Sequence, residues 1–163
     1  MGLIMKREHN LGGAMKIVVD ADACPVKGII EKIAKKHQIE VIMFIDTSHE
    51  LYSDYSKVIT VSKAPDAVDF ALLNQTNPND IVITGDYGVA AMALGKNAKA
   101  LHPNGRIFTN ENINQMLFER HLAKQQRRQG KQNTRLKHNK KRTAQDDIRF
   151  EFSLDDLLKS SPV

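Results

Sequence analysis

The stretch 16–27, KIVVDADACPVK, constrains the fold of this chain more than any other part of it. Ile17, Val18 and Val19 form an uninterrupted β-branched run, which is typical of a strand covered on both faces in a parallel sheet. Pro25 fits the first turn of a helix, where a backbone N–H has no intrahelical acceptor. The stretch therefore predicts a strand, an acidic turn and a helix.

The same unit recurs along the chain. Apolar runs predict further strands at 41–45, 58–61 and 80–84 and brief strands around 98–101 and 107–108. Apolar residues at helical spacing predict helices that begin near Pro25, Pro65, Val89 and Asn110, the last with Thr109 as N-cap. Strands that alternate with helices at this spacing predict an α/β protein. We expect a three-layer sandwich with a mostly parallel sheet of four or five strands.

The charge of the chain is divided between a body and a tail. The net charge is +5, but ten Lys or Arg and no Asp or Glu lie between 120 and 142, which leaves 14 basic and 19 acidic residues elsewhere. The predicted organisation is an extension at 1–14 that is expected to be disordered, an α/β domain at 15–119, a basic and partly disordered segment at 120–147, and a segment at 148–163 that packs back on the domain. Phe150 and Phe152 are the expected anchors of that last segment, and Ser153 with Asp156 forms a candidate capping box for its helix.

Composition also limits the cellular setting. The single cysteine excludes an internal disulfide framework, and no apolar run approaches the roughly 20 residues that span a membrane. The first 14 residues lack the apolar core and cleavage site of a secretory signal. We expect a cytoplasmic protein with no membrane partner, and the sequence leaves its oligomeric state open.

Five aspartates are candidates for one site. Asp20 and Asp22 follow the first strand, Asp66 and Asp69 lie at the start of the second helix, and Asp86 follows the strand at 80–84. Because the carboxyl ends of parallel strands lie at one edge of the sheet, we expect these side chains to converge. All five are candidate metal ligands. Since no His or Cys cluster lies near them in the sequence, the expected ion is Mg²⁺ or Mn²⁺.

Asp20, Asp86, Asp69 and Asp66 are the candidate catalytic residues, in that order. Each acid except Asp20 also has a local explanation. Asp22 could cap the first helix, Asp66 could interact with a helix dipole, Asp69 could be a surface residue, and Asp86 could cap the helix that follows it. Two strand ends that each carry an aspartate favour the common site.

Candidate substrate contacts come from other residue types. They are Thr84, Lys27, Arg120, Lys124, Arg127 and Arg128. The Thr84 hydroxyl could orient a water or a phosphate, and the cations could bind the phosphates of a nucleic acid, with RNA as the expected partner. A turn role for Thr84, a solvated Lys27 and a solubilising basic linker are the alternatives.

Four motifs closely resemble the YaiI/YqxD family of uncharacterised bacterial proteins, which is grouped by similarity with PIN-like domains. They are DADACPVK, APDAVDFAL, VITGDYGVA and PNGRIFTNENI, and the resemblance covers essentially 15–159. It implies a PIN-like α/β sandwich and a metal-dependent ribonuclease site, with Asp20, Asp66, Asp69 and Asp86 at the family's acidic positions. The chain departs from the family at Ala64–Pro65, where a glycine-containing approach to Asp66 is expected.

Three functions follow from these patterns. The favoured one is a divalent-metal-dependent nuclease in which a metal-activated water attacks an RNA phosphodiester. The second is a phosphatase with Asp20 as nucleophile, since Asp20-Ala21-Asp22 and Gly85-Asp86 resemble motifs of the haloacid dehalogenase family, although Cys24 replaces the expected Thr or Val and no cap region is present. The third is an RNA-binding protein without catalysis.

Overall fold

β-branched and other apolar runs form the strands at the centre of the protein. The computed structural model describes residues 14–129 and 141–160. Its strands are β1 (Lys16–Asp20), β2 (Glu40–Asp46), β3 (Lys57–Val61), β4 (Ile81–Ile83), β5 (Lys99–Leu101) and β6 (Ile107–Phe108). Its helices are α1 (Lys27–His37), α2 (Ala67–Gln75), α3 (Tyr87–Gly95), α4 (Asn110–Arg128) and α5 (Ala144–Lys159).

The strands form one sheet in the order β3-β2-β1-β4-β5-β6. All neighbouring pairs are parallel except β5 and β6, which are antiparallel. The described sheet has six strands where four or five were expected, because two very short strands, β5 and β6, complete one edge. The chain runs outward from β1 to β3 and then returns to β4 on the other side of β1, so the strand order switches between β1 and β4.

Helices cover both faces of the sheet. Ile17 and Val19 pack toward α1 and α5, whereas Val18 packs toward α2, α3 and α4. This alternation along β1 explains the uninterrupted apolar run, since each side chain meets a helical layer whichever way it points. The predicted three-layer α/β sandwich is confirmed.

The two helices nearest the basic segment begin with capping boxes. Thr109 caps α4 as predicted, with Asn112 as its partner, and the helix continues to Arg128. The cap predicted for the terminal helix is wrong, because Thr143 and Asp146 cap α5 directly after Arg142. Ser153 lies within α5, where its hydroxyl donates to the carbonyl of Gly105 (2.5 Å).

The last helix packs on the sheet through only one of its two phenylalanines. Phe150 is fully buried, but Phe152 is 74% exposed and is not an anchor. Of the extension predicted at 1–14 and the partly disordered segment predicted at 120–147, residues 1–13 and 130–140 lie outside the described residues, as do 161–163. Much of the rest of 120–147 belongs to α4 and α5. None of the helices in the described ranges is long and apolar enough to cross a membrane.

Candidate functional site

Asp20 and Asp86 lie at the point where the strand order switches. Asp20 ends β1, and Asp86 follows β4 by three residues, with Thr84 between them in space. The Thr84 hydroxyl donates to Asp20 Oδ2 (3.2 Å) and accepts the backbone N–H of Asp86 (3.0 Å). Because Thr84 is fully buried, its hydroxyl positions the two aspartates and is not free to contact a substrate.

Asp86 has both a structural contact and a free oxygen. Its Oδ1 accepts the backbone N–H groups of Gly88 (2.8 Å) and Val89 (3.1 Å), so it caps α3 as the local explanation proposed. Within the described residues, neither Asp86 Oδ2 nor Asp20 Oδ1 accepts a hydrogen bond. Each of the two aspartates therefore has one carboxylate oxygen available for a ligand.

The acids influence one another electrostatically. Burial raises the pKa of Asp20 to about 6, and the charges of Asp69, Asp22 and Asp86 add to the rise. Burial also raises the pKa of Asp69, with further contributions from Asp86 and Asp66. The electrostatic coupling shows that the chain gathers these carboxylates in one region, where a cation would favour their charged forms.

The five predicted ligands do not form one compact cluster. Among the described residues, no three of them bring carboxylate oxygens within 4.8 Å of one another. Asp66 is exposed at the start of α2 and has a left-handed backbone conformation with φ of 63°. That conformation favours glycine or asparagine, and it directly follows Ala64–Pro65, where the family pattern led us to expect a glycine-containing approach.

Asp22 belongs to a second group of side chains. Its Oδ1 accepts the backbone N–H of Asp46 (3.3 Å) and lies 3.2 Å from His49 Nδ1, which is 3.0 Å from Asp46 Oδ1. The ligand atoms of the three residues all lie within 4.8 Å of one another, so the group could hold a metal ion.

The sequence did not indicate that a histidine contacts one of the acids, but His49 Nδ1 lies 3.2 Å from Asp22 Oδ1. The reason is the parallel pairing of β1 with β2, in which Asp20 is opposite Phe44 and the turns after both strands meet. The same rule that grouped Asp20 with Asp86 could have found Asp46 and His49, because they also follow a strand.

Asp20 and Asp86 border a cleft of about 1100 Å³, which we call the Asp20 cleft. Four arginines line it from three other parts of the chain: Arg106 in the turn between β5 and β6, Arg120 and Arg127 on α4, and Arg142 just before α5. Glu119 on α4 also lines the cleft, so its walls carry both carboxylates and guanidinium groups, which are suited to a bound cation and a bound anion together. Sequence reasoning missed Arg106 and Arg142.

The predicted substrate contacts divide between the cleft and the surface. Arg120 and Arg127 line the Asp20 cleft, whereas Lys124 and Arg128 are exposed elsewhere on α4. Seven residues are close to two helical turns, so Arg120 and Arg127 share a face of α4. Lys124 flanks that face, four residues from Arg120 and three from Arg127, and Arg128 lies further round the helix. Lys27 donates to the carbonyl oxygens of Cys24 (2.8 Å) and Ala21 (3.3 Å), so its ammonium group stabilises the loop after β1.

His102 is a further residue of the cleft that the sequence did not indicate. Its Nδ1 accepts the backbone N–H of Asn104 (3.0 Å), which assigns the proton of the neutral ring to Nε2. Burial lowers the pKa of this imidazole. His102 therefore presents an N–H donor beside Gly85, because a Cβ added to this glycine would lie 3.7 Å from Nε2.

Cys24 is a core residue. It is 4% exposed, and burial raises the pKa of its thiol. A buried thiol that resists ionisation is a poor nucleophile, so the contacts of this cysteine agree with a packing role.

The fold and the cleft together define an α/β sandwich protein with a cleft that two aspartates border at its topological switch point. The chain belongs to the YaiI/YqxD family, since residues 18–160 match the model of the "Uncharacterized BCR, YaiI/YqxD family". The resemblance inferred from the four motifs is thereby confirmed.

Relatives with the same family character cover nearly the whole chain. A UPF0178 protein from Lachnoclostridium phytofermentans is 84% identical over 146 residues, which are 90% of this chain and 98% of the relative. A UPF0178 protein from Alkaliphilus oremlandii is 53% identical over 137 residues, or 84% and 86% of the two chains. One from Clostridium acetobutylicum is 49% identical over 149 residues, or 91% and 100%. No solved structure matches this chain.

Proposed function

We propose that this protein is a divalent-metal-dependent phosphodiester hydrolase that acts on RNA. The observation that carries the proposal is the placement of Asp20 and Asp86 beyond the ends of adjacent parallel strands, in a cleft that arginines also line. A phosphodiester needs cations to hold its oxygens and a group that can activate water. The cleft offers arginines for the first task and carboxylates that could hold an ion for the second.

The donor atoms fit a hard divalent cation. Asp20 and Asp86 would hold Mg²⁺ or Mn²⁺ through their free carboxylate oxygens, while Asp69 and Asp66 add negative charge, since in the described part of the chain no three of these acids bring oxygens within 4.8 Å of one another. Such an ion, when bound, lowers the pKa of water and neutralises charge on a phosphoryl group. The protein's own contribution is to fix Asp20 through the buried Thr84 hydroxyl and to leave one oxygen of each strand-end aspartate available.

The phosphatase alternative is less consistent with the contacts of Asp22. In that mechanism Asp20 attacks phosphorus and the second acid of the motif must reach the same substrate. Asp22 instead accepts the backbone N–H of Asp46 and contacts His49. Its carboxylate is therefore engaged on the side of β2, away from the arginines that would hold a phosphate.

The test is cleavage of an end-labelled single-stranded RNA in Mg²⁺, Mn²⁺ or EDTA. We expect cleavage only with the metal, and a loss of at least about 100-fold in Asp20→Asn and in Asp86→Asn. Asparagine keeps an oxygen that can cap α3, so the fold should persist. Asp156→Asn, which removes the charge of an exposed aspartate on α5, is the matched control and should cleave like the wild type.

Three results would contradict the proposal or favour an alternative. Cleavage that survives in EDTA and in Asp20→Asn would exclude the metal-dependent mechanism. A beryllofluoride adduct on Asp20, with hydrolysis of phosphomonoesters alone, would favour the phosphatase. RNA binding that is unaffected by EDTA, with no cleavage of any RNA, would favour the non-catalytic RNA-binding protein.

A further inference from the structure

We propose that the Asp20 cleft binds a single strand and that Arg106, Arg120 and Arg127 are its phosphate ligands. The inference rests on the proposed function, which identifies the ligand as RNA. It adds that the bound RNA is single-stranded, and it names the residues that bind it. It also replaces Lys124 and Arg128 as expected contacts.

Three of the cleft arginines lack a carboxylate partner among the described residues, which favours a bound anion. Within 14–129 and 141–160, Arg106, Arg120 and Arg127 form no ion pair with a carboxylate, although Asp20, Asp86 and Glu119 border the same cleft. Arg142 differs, since its Nε and Nη2 lie 2.8 and 2.7 Å from Asp147 Oδ1. Three guanidinium groups without a carboxylate partner on the walls of one cleft favour phosphate, which they bind through paired N–H donors.

The arrangement of the cations indicates more than one phosphate. Arg120 and Arg127 are seven residues apart on α4 and so lie roughly 10 Å apart along the helix axis. Arg106 approaches from the turn between β5 and β6. A single phosphate cannot span these positions, so the walls are suited to successive phosphates of a chain.

The remaining lining of the cleft favours a single strand over a duplex. Pro25, Tyr87, Pro103 and Met116 contribute apolar surface beside the cations. Single-strand sites combine a cationic groove with apolar and aromatic surface, because unpaired bases expose their faces. Sites of roughly 300–1,000 Å³ enclose small ligands, so a cleft of about 1100 Å³ accommodates a short stretch of one strand. A duplex would have to lie across its mouth.

The experiment measures binding separately from cleavage. Fluorescence anisotropy with a short labelled oligouridylate in EDTA reports affinity for the wild type and for two double variants of α4. Arg120→Gln with Arg127→Gln removes two cations from the cleft, and Lys124→Gln with Arg128→Gln removes two from elsewhere on the same helix. Both variants change the net charge equally, and circular dichroism with thermal melting checks that each is folded.

We expect the cleft variant to lose at least about tenfold in affinity, and its log–log salt slope to become less steep by about 1.4, which is two single-strand phosphate contacts. The Lys124 and Arg128 variant should keep most of the wild-type affinity. Arg106→Gln, which lies on a different element, should also weaken binding, so the result does not depend on α4 alone. The oligonucleotide annealed to its complement should bind more weakly than the single strand.

Equal losses in the two double variants, or duplex binding as tight as single-strand binding, would overturn the inference. The proposed hydrolase activity fails independently of it. Binding with the expected pattern but no cleavage would leave the inference intact and remove the hydrolase. Cleavage together with normal binding by the cleft variant would remove the inference and leave the proposed hydrolase intact.

Discussion

Asp80 is a buried aspartate whose role is structural. Its carboxylate accepts hydrogen bonds from the Lys16 ammonium (2.6 Å) and from the backbone N–H groups of Lys16 (3.0 Å) and Asn77 (2.7 Å). Since Asp80 is only 1% exposed, Asp80→Ala leaves a largely buried ammonium without its partner. We expect the free energy of unfolding, measured by urea denaturation, to fall by about 3–5 kcal/mol.

Lys16→Met is the control for this ion pair. It removes the ammonium but leaves the Asp80 carboxylate with its two backbone donors, so the loss of stability should be smaller than in Asp80→Ala. A cost below about 1 kcal/mol for Asp80→Ala would mean that water replaces the carboxylate without penalty, contrary to the burial of the pair.

Asp20 should make stability depend on pH. Its pKa is about 6 in the folded protein against an ordinary value of 3.8, so between these values the folded state binds more protons than the unfolded chain. The free energy of unfolding therefore falls as pH rises through this window. Asp20→Asn removes this dependence. In EDTA, the melting temperature of the variant minus that of the wild type should therefore increase from about pH 4 to about pH 6 and stay constant above that.

Asp156→Asn controls for the loss of one negative charge, because Asp156 is an exposed aspartate on α5. A difference in melting temperature between Asp20→Asn and the wild type that stays constant from acidic to neutral pH would show that Asp20 ionises normally in the folded protein. Burial and the neighbouring carboxylates would then not perturb it.

At the scale of single elements, Gly105 controls the contact between α5 and the turn that joins β5 to β6. It has φ of +94°, and a Cβ there would lie 2.7 Å from the backbone carbon and Cγ of Arg149. Gly105→Ala therefore strains the backbone and pushes α5 from the turn. We expect a loss of about 1–3 kcal/mol from the backbone strain alone, measured by urea denaturation.

Gly28→Ala is the matched control, since Gly28 lies in α1 with nothing within 4 Å of the added Cβ. A helical Gly→Ala change in open space should raise stability by about 0.5–1 kcal/mol. The two substitutions add the same methyl group and should have opposite signs. If Gly105→Ala were also stabilising, the close approach of α5 to the turn would be absent in solution.

How far the elements could be predicted depends on whether their determinants are local. Apolar runs and a local cap place β1, β2, β3 and the start of α4, because strand burial and capping act over a few residues. The start of α5 was missed because its cap, Thr143, directly follows a dense basic run that indicates a solvated segment. The basic run favours a solvated segment and the capping box favours a helix. The chain is helical from Ala144, so the capping box determines its structure here.

The candidate site could be predicted only in part for a related reason. Asp20 and Asp86 follow from the rule that parallel strand ends share an edge. The orientation of Asp22 toward His49 depends on the register of β1 against β2, and the approach of Arg142 to the cleft depends on how α5 packs. Both are tertiary contacts between distant parts of the chain, and no local pattern encodes them.

At the scale of the whole molecule, the sheet has two halves that meet between β1 and β4, and we call this boundary the seam. β1 to β3 lie on one side and β4 to β6 on the other, and the halves meet where β1 pairs with β4 over three residue pairs. Asp20 continues one side of this seam and Asp86 follows the other. An ion held by both would connect the two halves, and binding to the folded state alone would stabilise it by about 2.7 kcal/mol at 100 times the dissociation constant.

Mn²⁺ should therefore raise the melting temperature of the wild type, and EDTA should reverse the change. The shift should disappear in the Asp20→Asn, Asp86→Asn double variant, because its amide oxygens are weaker ligands for a hard cation. His49→Ala separates the two candidate ion sites, since it removes a ligand only from the group with Asp22 and Asp46. A shift that survives in His49→Ala assigns the ion to the seam, whereas a shift lost only in His49→Ala would move it to the turn after β2 and leave the Asp20 cleft without a metal.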